Sequence, residues 1–177
     1  KKIGCHAIKF QLFKSDKLFA PEILKKSKSH RDVKSLELSK KLIPELYKYT
    51  KKKGLDFGCT PFDMDAVYDL RNYVDFYKIG SYELLRIDIF EKCLKYKKRI
   101  IFSTGMSTSK EIEKILNFFK KKNFYNFSIL RCVSNYPTDL ENINLKSIET
   151  LRKLLKSKFK NKTIKLGWSD HSKNQGV

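Results

Sequence analysis

The sequence has no long apolar run. Its stretches are as short as 100-IIF-102, far below the roughly 20 residues that a bilayer-crossing helix needs, so a membrane partner is not expected. The opening residues KKIGCHAIKF have neither the apolar h-region nor the small-residue cleavage site of a secretory signal, and a cytoplasmic location is expected. CxxC pairs are missing as well. The four cysteines, Cys5, Cys59, Cys93 and Cys132, are scattered, which argues against a zinc knuckle or a disulfide framework and favours free buried thiols. Acid is scarce: 19 Asp and Glu stand against 39 Lys and Arg, for a formal net charge of +20.

Such a charge invites a nucleic-acid partner, because dense lysine neutralises phosphate backbones. The placement of the lysines argues otherwise. The runs 51-KKK-53, 95-KYKKR-99, 120-KKK-122 and 156-KSKFKNK-162 each close a helical pattern just ahead of the next strand. Lysine there complements the negative end of a helix dipole and faces water. No nucleic-acid partner is expected.

What is present suits one globular domain, since 177 residues that are 41% hydrophobic and 13% aromatic can bury a real core. Short apolar strand candidates recur at 6-HAIKFQ-11, 55-LDFGCTPF-62, 75-DFYKIGS-81, 99-RIIFSTG-105, 127-FSILRCVSNYP-137 and 164-IKLGWSDH-171. Amphipathic helical patterns lie between them at 36–53, 63–72, 108–121 and 141–159. The third opens with Thr108 and Glu111 in capping-box spacing. Alternation of this kind predicts βαβ units, a parallel sheet and an α/β fold.

Both a doubly wound sheet and a (β/α)8 TIM barrel have that pattern. The polar residues separate them. Lys9 and Gln11, Thr60, Lys78 with Ser81 and Glu83, Ser103 with Thr104, and Ser169 with His171 all fall at strand C-terminal ends. A barrel gathers those ends around one mouth, and an open sheet spreads them along an edge. The barrel is therefore favoured, and it is expected to be incomplete here, with its first and last strands missing.

Lysines and hydroxyls aimed at one centre suit a small, strongly anionic ligand such as a phosphate ester carrying a carboxylate. Lys78 lies inside the apolar run 76-FYKIGSYE-83, where an ammonium needs an anionic partner. That partner is either the ligand or, structurally, a residue such as Glu83. Glu83 could serve as general acid or base. His171 is a candidate ligand for a divalent metal or a structural histidine; His6 and His30 have no comparable setting. Tyr136 before Pro137 is a loop turn or one wall of a substrate pocket. The insert 14-KSDKLFAPEILKKSKSHRD-32 either lines the entrance or forms a basic surface loop.

In order and spacing, AIKFQ, CTPF, YKIGSYE, STGMST, CVSNYP and GWSDHS resemble the strand-end motifs of the sialic acid synthase (N-acetylneuraminate synthase) family, with its legionaminate and pseudaminate synthases. The likeness covers effectively the whole chain. It implies a (β/α)8 barrel, here residues 1–177, without the family's C-terminal antifreeze-like domain. It also implies a cytoplasmic enzyme, a homodimer when full length, that condenses phosphoenolpyruvate with an N-acylated mannosamine-type sugar and releases phosphate.

By that resemblance Lys9, Thr60, Lys78, Ser81, Ser103 and Ser169 hold the phosphate and carboxylate of phosphoenolpyruvate, and Gln11, Ser134 and Tyr136 complete the substrate-binding set. Lys78 and Glu83 are the expected catalytic residues, with Glu83 managing protons. His171 is one of two histidines on a manganese or magnesium ion. The second, and the first strand's acidic residue and asparagine-histidine motif, lie outside residues 1–177. Tyr82 stands where many sialate synthases have glycine and Arg131 where they have histidine, so the acceptor sugar stays open.

Overall fold

The computed structural model describes residues 4–28, 32–160 and 162–173; His30, in the insert, lies outside them. The chain forms two compact units, Lys1–Lys78 with Asp88–Lys98 and Ile79–Ile87 with Arg99–Val177.

In the first unit β1 (Ala7–Leu12), β2 (Asp56–Pro61) and β3 (Phe76–Ile79) follow one another. β1 pairs parallel with β2, and β2 with β3. One side of the strands is aromatic and covered: the Phe10 ring stacks on Phe57 at 5.4 Å, and Tyr47 meets Phe57 edge-on at 6.0 Å. Tyr47 comes from α3 (Ile43–Lys52). The buried Tyr77 hydroxyl donates to the Val67 carbonyl at 3.0 Å, tying β3 to α4 (Met64–Leu70). Strand alternation then sends Lys9, Gln11, Gly58, Thr60, Phe76 and Lys78 to the other face. Gly58 is obligatory there, because the Phe76 ring lies 2.0 Å from where a Cβ would stand.

The second unit repeats the plan. β4 (Arg99–Ser103), β5 (Phe127–Cys132) and β6 (Lys165–Ser169) are parallel neighbours in that order. Phe102 and Phe127 stack on Phe119 at 5.6 and 4.4 Å, and Phe159 meets Phe127 edge-on at 5.6 Å. Phe119 belongs to α6 (Ser109–Lys121), whose start carries the expected capping box. α7 (Ser147–Lys158) supplies Leu151 and Leu155 to the core.

Strand positions agree with the sequence reading to within one or two residues at their starts, and the βαβ alternation is the expected one. Helices differ more. The helix expected over 36–53 begins only at Ile43, where Pro44 occupies the first turn; a proline there starts a helix readily but its ring bars a preceding turn. Val33–Leu36 and Lys40–Leu42 are separate 3-10 turns, and Leu36 is 70% exposed. The helix expected over 141–159 starts at Ser147, after Asn144 turns left-handed (φ 47°). A further helix, α5 (Ile87–Lys95), is the one that the run 95-KYKKR-99 closes; the sequence reading gave it no bounds.

The insert holds two short helices, α1 (Ser15–Leu18) and α2 (Pro21–Lys26). Glu37 clasps the first by accepting from the Lys14 ammonium, the Ser15 amide and the Ser15 hydroxyl, all at 2.8 Å. Cys59, Cys93 and Cys132 are buried free thiols as expected, whereas Cys5 is exposed. The lysine runs do close helices: basic residues fill the last turns of α3, α5, α6 and α7. Among the described residues no helix is long and apolar enough to cross a membrane.

Candidate active site

Each unit carries part of the expected set. In the first, β1 and β2 pair Lys9 with Gly58 and Gln11 with Thr60. These four residues therefore share one face. Thr60 is buried at 2% exposure, while Lys9 and Gln11 reach solvent. Although Lys9 is exposed as a residue, desolvation by its surroundings holds its ammonium below the ordinary range, against the opposing effect of Cys59. Burial in turn pushes the Cys59 thiol up to about 12. Lys78 is half-buried on β3.

The second unit brings several of its predicted residues together. The Ser81 hydroxyl donates to Ser103 Oγ at 3.1 Å and accepts the Gly105 N–H at 3.0 Å. Ser134 completes the group: a Cβ on Gly105 would lie 2.2 Å from Ser134 Oγ, 2.9 Å from Ser81 Oγ and 3.3 Å from Cys132 Sγ. Ser81 thus links the Ser103 hydroxyl to the Gly105 amide, with the Ser134 hydroxyl against the Gly105 α-carbon. Ser169 pairs in register with Cys132, on the face that Cys132 shares with Ser128 and Leu130. Glu83 is 7% exposed, and its carboxylate folds back over Gly80, with Oε2 2.5 Å from where a Cβ there would be.

Thr104 is spent on structure, since its amide and hydroxyl both donate to the Leu130 carbonyl, at 3.1 and 3.2 Å. Arg131 is likewise spent on structure, donating through Nε to Ser147 Oγ at 2.5 Å at the start of α7 and through Nη1 to the Cys132 carbonyl.

His171 is held from both sides. Nδ1 stands 2.7 Å from the Val133 carbonyl, which can only accept, so Nδ1 carries the proton. In the neutral ring Nε2 then accepts from the Tyr136 hydroxyl at 3.0 Å, and the two rings stack at 4.0 Å. The Thr138 amide donates to the His171 carbonyl at 2.9 Å, fixing one loop against the other. Burial raises the Tyr136 phenol above its ordinary range, with Cys132 and Tyr82 adding to the effect. A backbone carbonyl on Nδ1 is the usual support for an imidazole that binds metal through Nε2. Nε2 could therefore serve as one ligand of a divalent ion once the Tyr136 hydroxyl moved off it, and among the described residues no three His, Cys, Asp or Glu side chains cluster as a complete site.

Comparison with known proteins gives the family. The NeuB family matches residues 1–177. The chain belongs to the NeuB family, that of the sialic acid synthases. It is 33% identical over 184 residues to the N,N'-diacetyllegionaminic acid synthase of Campylobacter jejuni, covering 96% of this chain and 53% of that protein. Among solved structures it resembles the N-acetylneuraminic acid synthetase of Leptospira borgpetersenii crystallised with citrate, at 32% identity and a TM-score of 0.83, covering 98% of this chain and 57% of that one. A phospho-2-dehydro-3-deoxyheptonate aldolase of Thermotoga maritima shares the fold alone, at 15% identity and a TM-score of 0.62 over 86% of this chain and 41% of that one. The chain spans about half the length of the curated NeuB relatives it matches.

Sequence reasoning missed the Gly105 amide, the Val133 carbonyl and Cys132. The glycine of 103-STG-105 was the available signal for the first, since strand-end glycines admit close approach; the carbonyl has no residue-type signature.

Proposed function

We propose that the protein condenses phosphoenolpyruvate with an N-acylated mannosamine-type sugar to give a nonulosonic acid and phosphate, as a cytoplasmic homodimer. The observation that carries this reading is the cluster of Ser81, Ser103 and Ser134 hydroxyls at Gly105, in a chain of the NeuB family. Neutral donors of this kind suit phosphate and carboxylate oxygens, and they are worth most where water is excluded.

Lys9, Lys78, Thr60 and Ser169 would add charge and further donors for phosphoenolpyruvate, with Gln11 and Tyr136 turned to the sugar. Glu83 would move the proton as the enol carbon attacks the sugar aldehyde, after which water adds and phosphate leaves by C–O cleavage. Fixed charges around a developing cation favour such a step without reorganisation. His171, with its Nδ1 proton tied to Val133, would hold a manganese or magnesium ion, which when bound polarises that aldehyde.

A second reading is another phosphoenolpyruvate or phosphosugar aldolase on the same barrel, favoured by the fold shared with the Thermotoga aldolase. Phosphate release separates the two. With phosphoenolpyruvate and manganese, the protein expressed from its complete reading frame is expected to release phosphate only when an N-acylated amino sugar is present. Lys78→Ala should reduce kcat/KM by at least about 100-fold, the scale of losing one fixed electrostatic contact in a closed site. Release with a simple aldose phosphate instead would establish the second reading.

A further inference from the structure

A neutral imidazole has one ring lone pair to give, and at His171 a tyrosine has taken it. Nδ1 faces the Val133 carbonyl at 2.7 Å and carries the proton, which leaves the lone pair on Nε2. There it accepts from the Tyr136 hydroxyl at 3.0 Å. Imidazole ligates a metal through that same lone pair, which serves the phenol or the ion but not both.

The contacts separate what would stay from what would move. The two loops are joined without the tyrosine side chain. The Thr138 amide donates to the His171 carbonyl at 2.9 Å, the Thr138 hydroxyl donates to the Asn135 carbonyl at 2.8 Å, and Thr138 bridges in parallel to Ser172. The Val133 carbonyl keeps the imidazole oriented whether or not Nε2 is occupied. The Tyr136 side chain, by contrast, rests on His171 by stacking at 4.0 Å and by its hydrogen bond to Nε2. At 73% exposure it has open space in which to reach another staggered rotamer. Its ring can leave while both loops and the imidazole hold their places.

We propose that Tyr136 is a placeholder on His171: its hydroxyl holds the Nε2 lone pair ahead of metal entry and yields it, by rotation of the side chain, when a divalent ion binds. This rests on the metal role given to His171 above. Each binding event then includes the loss of one hydrogen bond, and the net contribution of such a bond lowers the apparent metal affinity by about 2- to 10-fold.

The test is manganese binding to the protein from its complete reading frame, without substrate, read from the electron paramagnetic resonance signal of the free ion. Tyr136→Phe keeps the ring and its stacking and removes the hydroxyl; it should bind manganese about 2- to 10-fold more tightly than the wild type. His171→Ala should bind at least about tenfold more weakly, since losing even a partner of a metal-binding histidine costs that much. Equal or weaker binding by Tyr136→Phe overturns the placeholder, and leaves the metal role standing where His171→Ala has lost affinity. Undiminished binding by His171→Ala, or none by the wild type, overturns both.

Discussion

An alanine at position 105 would push its methyl group into the Ser134 and Ser81 hydroxyls, 2.2 and 2.9 Å away. The close approach of both hydroxyls to that α-carbon thus makes glycine obligatory. Gly105→Ala is expected to cost about 1–3 kcal/mol in chemical denaturation, the range for overpacking, and to weaken phosphoenolpyruvate binding, because Ser81 can no longer sit on the Gly105 N–H. Full stability with unchanged binding would show that the loop yields freely. At this scale the sequence was legible where side chains carry the signal: Ser81, Ser103 and His171 were expected at strand ends from the strand pattern, and Ser134 from the family resemblance. It was silent where chemistry lies in the backbone, as at the Val133 carbonyl that sets the His171 tautomer. Arg131 shows the converse, a residue whose position in a motif drew attention but whose alternation on β5 turns it toward Ser147.

Elements were legible in kind and less so in extent. Pro44 and the left-handed Asn144 cut two helices short at their starts, and local backbone restrictions of this sort override an apolar pattern that runs on past them. The helix Ile87–Lys95 had its signal in Ile89, Phe90 and Cys93, all fully buried, but only its end, at the lysine run 95-KYKKR-99, was read from the sequence. Glu37 is the element-scale feature open to titration. The Lys14 ammonium, then the Ser15 amide and hydroxyl, lower its carboxyl from 4.5 to about 2. A carboxyl held low in the folded state stabilises it fully above pH 4.5 and loses that contribution as pH falls through about 2. Exchange of the Ser15 amide should accordingly accelerate as pH falls from 4.5 toward 2, after correction for intrinsic chemistry, and Glu37→Gln should show fast exchange at every pH. Equal protection in the variant would mean that the short helix α1 is held by its packing alone.

For the whole chain the dominant fact is its charge of +20. Several described ion pairs relieve it locally, as where Lys17 meets Asp65 at 2.7 Å and Lys51 meets Asp75 at 2.9 Å, but exposed pairs contribute little. Self-repulsion among the remaining lysines is expected to win. Thermal melting should therefore rise as salt is raised from about 0.01 M to 0.1 M, where the screening length shrinks from roughly 30 to 10 Å. A fall would show that the ion pairs outweigh the repulsion.

The lysines that close the helices have another effect. Within each unit the strands run parallel and each helix returns the chain to the start of the next strand, so helix ends and strand ends lie at opposite poles. In the second unit the lysines that end α6 and α7 lie at one pole, and Ser103, Ser134 and His171 at the other. On an acidic exchange resin that unit would settle lysine side down, with its serines and His171 facing the solvent: immobilisation would come with its own orientation.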